Sequence, residues 1–333
     1  MDGSVWGKIL VLSISVAMCT FNGGPFLSAQ LESIAAQERP PDELVVCDDG
    51  SSDGCCEIVR EFAGRSAFPI RLIVNDKNLG STKNFEKAIS MCQGAIVALA
   101  DQDDVWYRCK LGQIEAVFLR SDEIVSVFSD ADLIDDDSRG LGMSLWSAFS
   151  FDGGERREFT TGHALNVLVK HPVVTGATMA FRKEIFDIVT PIPANWIHDR
   201  WISFLLAARG RVEMIFDPLM QYRRHKGQQE GLPPVLPREL VAQARSRGAH
   251  FHLEEVERFR QLYDHIGKRG AQLPYAKYAQ REIEKKISHL THRAQLPHTR
   301  VARIPTVLRE TVSGRYWRYS AGWRSVARDL VIR

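Results

Sequence analysis

The sequence predicts an α/β chain, with a mostly parallel sheet flanked by helices, and three observations carry that expectation. Strand-like and helix-like segments alternate through the first ~100 residues, the pattern of repeated βαβ units. The strand-like segments end in clustered polar and acidic residues, where open parallel sheets bind their ligands. The 333 residues are 44% hydrophobic, 25% charged and 9% aromatic, which excludes collagen-like, coiled-coil and mainly disordered chains.

Taken in order, Lys8–Thr20 is apolar and β-branched and reads as a buried strand. Its core, Ile9 to Cys19, is about half the ~20 residues a membrane-spanning helix needs, and Met1-Asp2 lacks the basic start of a signal peptide. Pro25–Gln37 follows as a helix, Glu43–Cys47 as a strand, Gly54–Ala63 as a helix, Ile70–Asn75 as a strand, Ser81–Cys92 as a helix and Ala95–Ala100 as a strand. Leu111–Ser121 predicts a helix, Ile124–Phe128 a short strand, and Ser129 to Asp137 an acidic turn at its end. The stretch Phe149–His171 shows no clear period. Val173–Phe181 reads as a strand, and Asp199–Ala208 as a helix. Gly231-Leu-Pro-Pro234 marks a boundary, after which Glu239–Ile266 and Tyr275–Leu290 read as Arg- and Glu-rich helices, with Pro305 separating a final segment. The division is therefore residues 1–234 as an acidic α/β body and 235–333 as a basic helical extension. The net charge of +2 conceals an asymmetry across this break: 23 Lys+Arg against 32 Asp+Glu before it and 20 against 9 after it.

The six cysteines, Cys19, Cys47, Cys55, Cys56, Cys92 and Cys109, form no CxxC pair and suit a reducing cytosol. Gly23-Gly24 is a helix-start turn without a dinucleotide fingerprint, and the acidic run through Asp137 lacks the glycine and distal glutamate of a calcium loop.

Two strand ends carry the chemistry. Asp48-Asp49-Gly50-Ser51 follows an apolar strand, and carboxylates there can accept hydrogen bonds from a base N–H or a ribose hydroxyl; a plain helix-capping turn is the structural alternative. Asp101-Gln102-Asp103-Asp104 follows a fully apolar strand. Carboxylates this close raise one another's pKa unless they share a cation, which points to a hard metal, Mn²⁺ or Mg²⁺.

Four segments together, Val16-Ala-Met-Cys-Thr-Phe-Asn22, Val45-Val-Cys-Asp-Asp-Gly-Ser51, Asn78-Leu-Gly-Ser-Thr-Lys-Asn-Phe85 and Asp101-Gln-Asp-Asp-Val-Trp106, resemble the ordered signatures of inverting glycosyltransferase family 2, and among its members the bacterial rhamnosyltransferase-like enzymes of surface polysaccharide assembly. The resemblance spans about residues 8–231 and implies the GT-A nucleotide-diphospho-sugar transferase fold. It implies that Thr20, Phe21 and Asn22 line the nucleotide pocket, that Asp49 holds the base, and that Asn78, Gly80 and Asn84 lie beside nucleotide and sugar. Asp101 and Asp103 become the DxD element, with Asp103 nearest the metal. Val174-Thr-Gly-Ala-Thr-Met-Ala-Phe181 resembles the strand whose glycine, here Gly176, admits the acceptor sugar. Trp196-Ile-His-Asp-Arg-Trp201 puts Asp199 at the position of the catalytic base, with Trp201 in the acceptor region. In Gln221-Tyr-Arg-Arg-His225, His225 becomes a metal ligand and Arg223 a diphosphate contact. Arg108 stands where the family often has proline, and Cys109 where it has an acidic or amide residue.

The implied partners are a nucleotide-sugar donor, with thymidine-diphosphate rhamnose first, and a glycan or lipid-linked acceptor. The implied location is the cytoplasm, at the inner face of the membrane, with peripheral contact through the extension, where Arg315-Tyr-Trp-Arg-Tyr319 and Trp323-Arg324 interleave rings and cations. Helices packing back on the body are the alternative for that tail, and no nucleic-acid motif is present. Two rival readings remain at this point. A haloacid-dehalogenase-like phosphohydrolase would use Asp101 as nucleophile, but Asp104 occupies its Thr/Val position. A non-catalytic nucleotide or glycan binder would keep the pattern without the activity.

Overall fold

The computed structural model describes residues 11–225 and 248–331. Four parallel strands open it: β1 (Ile14–Thr20), β2 (Glu43–Asp48), β3 (Ile70–Val74) and β4 (Ile96–Ala100), in the spatial order β3-β2-β1-β4. The crossovers between them are α1 (Gly24–Ala35), α2 (Cys55–Ala63) and α3 (Ser81–Met91).

Side chains alternate across the sheet as the strand period requires. Val16, Met18, Val46 and Ala98 face a core closed by Leu27, Leu31 and Ile34 of α1 and Val59 and Phe62 of α2. Ala17, Val45, Val97 and Leu99 face the opposite core, closed by Phe85, Ala88 and Ile89 of α3. Burying both faces is why these strands are apolar nearly throughout.

The second half turns the sheet mixed. The strands are β5 (Val105–Trp106), β6 (Ile124–Ile134), β7 (Gly140–Ser144), β8 (Met179–Arg182) and β9 (Arg211–Arg223). β8 runs antiparallel to both β4 and β6, β9 parallel to β6, and β5 antiparallel to β9. Helix α4 (Lys110–Phe118) covers the α1 face; α5 (Leu145–Ala148), α6 (Gly153–Thr160), α7 (Ala164–Leu168), α8 (Phe186–Val189) and α9 (His198–Arg209) follow.

Several expected elements shift. β6 continues to Ile134, so Asp130 and Asp132 lie within a strand that pairs with β9, and the expected turn begins later. Within 173–181 only the end is strand; Gly176–Thr178 is a 3₁₀ turn. Phe216-Asp-Pro218 lies inside β9, beside a register shift against β6 at Ser129/Asp130, the kind of irregularity that tolerates a proline. Phe149–His171, aperiodic in sequence, is mostly short helices.

Beyond residue 247, helices Ala249–Lys268 and Ala276–Ala294 pack as a pair. Their Phe259, Leu262, Ile266 and Ile283 join the same buried cluster as Leu205 and Phe181. Helices Arg300–Val312, Arg315–Tyr319 and Trp323–Val331 close a small core of Leu296, Val307, Tyr316 and Val326. Pro305 lies inside the first of these instead of breaking it. The expected boundary at 234 lies outside the described residues. Among the described residues no helix is long and apolar enough to cross a membrane.

Candidate active site

Because β2, β1 and β4 are neighbours, the residues that follow them meet at one edge of the sheet. Thr20, at the end of β1, is buried, and its Oγ1 donates to Asp48 Oδ2 at 2.7 Å. Asp48 also accepts from the Ser51 amide at 2.9 Å and the Ser51 hydroxyl at 2.6 Å. Burial pushes the Asp48 carboxyl up, but these donors outweigh it and its pKa is lowered. Asn22, with φ of 49°, accepts from the Ser52 amide at 2.9 Å, tying the ends of β1 and β2 together. The Phe21 backbone is clamped by Gln102, whose Oε1 accepts from its amide at 2.8 Å and whose Nε2 donates to its carbonyl at 3.1 Å.

Asp49 is buried. Its Oδ1 accepts from Asn75 Nδ2 at 2.7 Å and the Leu79 amide at 2.8 Å, and its Oδ2 from the Gly80 amide at 2.9 Å. A carboxylate has about four acceptor positions, so one more donor can be accommodated. Gly80 sits at φ 78°, a left-handed conformation that favours glycine. Asn78 is exposed beside it and donates to the Asp49 carbonyl at 3.1 Å.

The end of β4 meets the end of β9. His225 Nε2 lies 2.8 Å from Asp103 Oδ2, joining residues 122 apart in the chain. Arg223 is buried over the Phe26 ring and donates to the carbonyls of Asp103 at 2.7 Å and Asp135 at 2.9 Å. Asp104 Oδ1 accepts from the Arg223 amide at 2.9 Å, while its Oδ2 is buried with no hydrogen-bond partner among the described residues. Lys110 is fully buried, 4.0 Å over the Trp106 ring, and donates to the Ala177 carbonyl at 2.6 Å. Burial lowers its pKa to about 7, against the raising pull of Asp104 and Asp101. Burial, then the charges of Asp103 and Asp199, raise Asp101 to about 8; burial raises Asp104 as well.

Asp199, whose charge acts on Asp101, occupies the first turn of α9, where the helix dipole favours an anion. The Gly176 amide donates to its Oδ2 at 2.9 Å. Burial nevertheless lifts its pKa to about 6, against the lowering effect of the Gly176 and Arg200 amides. A Cβ on Gly176 would lie 2.7 Å from His198 Nε2 and 3.5 Å from Asp199 Cβ.

The sequence profile of glycosyl transferase family 2 matches residues 15–189, more than half of the chain. The chain belongs to glycosyl transferase family 2. It is 29% identical over 223 residues to an uncharacterized glycosyltransferase of Nostoc sp., covering 64% of this chain and 65% of that protein. It is 28% identical over 125 residues, 38% of this chain and 48% of the relative, to the Escherichia coli UDP-Glc:alpha-D-GlcNAc-diphosphoundecaprenol beta-1,3-glucosyltransferase WfgD. The chain spans 59–65% of the length of the first curated relatives it matches. S. aureus TarS, solved in complex with UDP-GlcNAc, superposes with a TM-score of 0.54 at 17% identity, covering 91% of this chain and 78% of that one. The mannosyltransferase PcManGT of Pyrobaculum calidifontis, solved with GDP-Man and Mn²⁺, superposes at 0.53 with 18% identity, covering 96% and 79%. The architecture is the GT-A fold, and family 2 membership sets aside the phosphohydrolase reading.

In this family 2 chain, Phe21, Asn22, Asp49, Asn78, Gly80, Asp101 and Asp103 gather at one sheet edge with His225. Five expected placements change. Thr20 and Asn84 are buried behind the pocket wall: Asn84 donates to the Cys47 carbonyl at 2.8 Å and accepts from Asn75 at 2.8 Å, so its amide is spent within the core. Trp201 is also core, donating to the Val189 carbonyl at 2.7 Å. Gly176 gives up its side chain to make room for His198 and Asp199, where a sugar ring was expected. Arg223 serves protein carbonyls before any diphosphate. Lys110 carries no signal in the sequence, because a lysine opening a helix looks like a solvated charge, and Gln102 is hidden among more conspicuous aspartates.

The donor set fits a divalent cation of the hard type. Asp101, Asp103, Asp104 and His225 supply oxygen and imidazole donors, and burial together with neighbouring carboxylate charges raises the pKa of Asp101 and Asp104. Among the described residues no group of three or more His, Cys, Asp or Glu closes around one ion. Mg²⁺ and Mn²⁺ sites completed by phosphate oxygens and water need only one or two protein carboxylates.

Proposed function

We propose that this chain transfers a sugar from a nucleoside-diphosphate donor to an acceptor hydroxyl with inversion, in surface polysaccharide assembly, using residues 1–234 for the reaction and 235–333 as an extension. The observation that carries the reading is the convergence of three carboxylates: the charges of Asp103 and Asp199 both act on Asp101, with His225 2.8 Å from Asp103 and the Gly176 amide holding Asp199. Phe21, Asn22, Asp49 and the Asn78–Gly80 turn form the nucleotide side, with Asp49 keeping one acceptor position for a base N–H. Asp103 and His225 would hold Mn²⁺ or Mg²⁺, which when bound supplies positive charge against the departing diphosphate.

Asp199 takes the proton from the acceptor hydroxyl as that oxygen attacks the anomeric carbon. The C–O bond to the diphosphate breaks in the same displacement, and the diphosphate carries away the bonding electrons. A single displacement inverts the centre; no second carboxylate is needed as a nucleophile.

Two relatives support the polysaccharide setting by their names, WfgD and the putative teichuronic acid biosynthesis glycosyltransferase TuaG of Bacillus subtilis, and the former names a lipid-linked acceptor. Rhamnose rests on the sequence resemblance alone. A thermal-shift screen of UDP-, GDP- and dTDP-sugars with Mn²⁺, followed by transfer assays, tests the proposal: one donor raising the unfolding temperature and giving an inverted product supports it. No donor binding, or a retained anomeric configuration, overturns it.

A further inference from the structure

We infer that helix Arg300–Val312 docks this protein onto an anionic lipid surface. Val301, Ile304, Leu308 and Val312 are exposed by 77%, 50%, 58% and 80%. Their spacing of three, four and four residues puts them in one stripe on the helix. The buried side of the same helix carries Arg303, Val307 and Glu310. Arg303 donates to the carbonyls of Pro297, His298 and Asp329, and Glu310 meets His289, His292 and Arg315. The helix thus buries Arg303 and Glu310 while showing water four aliphatic side chains, unlike an ordinary surface helix.

Charge identifies the occupant. In residues 300–331 the acidic side chains are Glu310 and Asp329, and both are buried and ion-paired, Asp329 with Arg293. The exposed charges of that segment are Arg300, Arg309 and Arg324. At about 100° per residue, Arg300 and Arg309 fall on either side of the aliphatic stripe. Aliphatic side chains entering the acyl boundary, with guanidinium groups at the headgroup phosphates, is the arrangement an interfacial helix uses. Trp317 and Trp323, in contact at 5.1 Å between ring centroids and both exposed, add side chains of the kind that settle at that interface. A second copy of this chain would bring the same arginines against themselves, and nucleic acid would leave the aliphatic stripe without a partner.

The inference stands independently of the transfer reaction. The full chain is tested by co-sedimentation with vesicles of phosphatidylcholine alone and of phosphatidylcholine mixed with phosphatidylglycerol. Binding is expected to the mixed vesicles and to weaken as salt is raised. Leu308→Asp combined with Val312→Asp is expected to weaken it roughly tenfold or more, and Arg300→Glu with Arg309→Glu to weaken it comparably and to flatten its salt dependence, with thermal unfolding unchanged in both. Equal partition into both vesicle types, no partition, or variants that bind as the parent chain does would overturn the inference. So would sedimentation velocity showing a dimer that the Leu308→Asp, Val312→Asp variant dissociates, or RNA displacing the protein from the mixed vesicles.

Discussion

Asp199 carries the sharpest single-residue consequences. As the proposed base it must be ionised, and its raised pKa of about 6 means that kcat/KM should climb as pH rises through that value and level off above it; a profile flat from pH 5 to 8 would contradict the assignment. Asp199→Asn should lower transfer by about 10²–10⁴ while leaving donor binding measurable by calorimetry. The same raised pKa has a stability sign. The native state holds this proton more tightly than the unfolded chain, so the carboxyl stabilises at low pH and that contribution is lost as pH rises through about 6. Asp199→Asn should therefore unfold at a higher temperature than the parent chain at pH 8. Gly176→Ala pushes a methyl group to 2.7 Å from His198 Nε2, and overpacking of that kind costs about 1–3 kcal/mol. Its expected signature is a lowered kcat with donor affinity retained, because the displaced groups include the proposed base Asp199. Asp103→Ala should weaken donor binding in a way that excess Mn²⁺ does not restore; an unchanged metal dependence in titration calorimetry would count against its role.

Among the elements, α9 is the one whose position matters most, and it is set from outside the sheet. Arg200, next to Asp199, is held by Glu255 of helix Ala249–Lys268 through bonds of 3.1 and 2.7 Å, and Arg258 braces the same carboxylate at 2.8 Å. Burial raises the Glu255 carboxyl, but Arg200 and Arg258 outweigh it and bring its pKa to about 2. A depressed pKa contributes stability that is present above the ordinary glutamate value of ~4.3 and is lost as pH falls toward about 2. Glu255→Ala, which leaves the partly buried Arg200 without its carboxylate, should cost about 3 kcal/mol in urea unfolding at pH 7 and flatten the acid limb of the stability curve. A cost below about 1 kcal/mol, as for a surface ion pair, would show that the extension does not fix α9. The first four strands and their helices were legible because alternating and 3.6-residue periods are local. β6 to β9 were less so: polar Asp130 and Asp132 hid the continuation of β6, and Pro218 hid the continuity of β9, since pairing partners far away in the chain override local signals.

At the scale of the whole molecule, the acidic body and the basic extension found by counting charges form one packed unit, with Phe259 and Ile283 sharing a core with Leu205. The basic surplus is partly consumed inside it: Arg293 meets Asp329 at 2.6 Å, and Lys286 donates to the Tyr319 carbonyl at 2.6 Å. The α/β class, the order of the strand-end motifs and the acidic residues at their ends are legible along the chain, since these depend on neighbours a few positions apart. Only the tertiary structure decided that His225 reaches Asp103, that Gly176 makes room for His198 and Asp199, that Trp201 and Asn84 turn into the core, and that the helix after Thr299 shows its aliphatic side to water. Those outcomes depend on which strands become neighbours and which faces are covered, and chain folding brings together residues more than a hundred positions apart whose local sequences carry no record of each other.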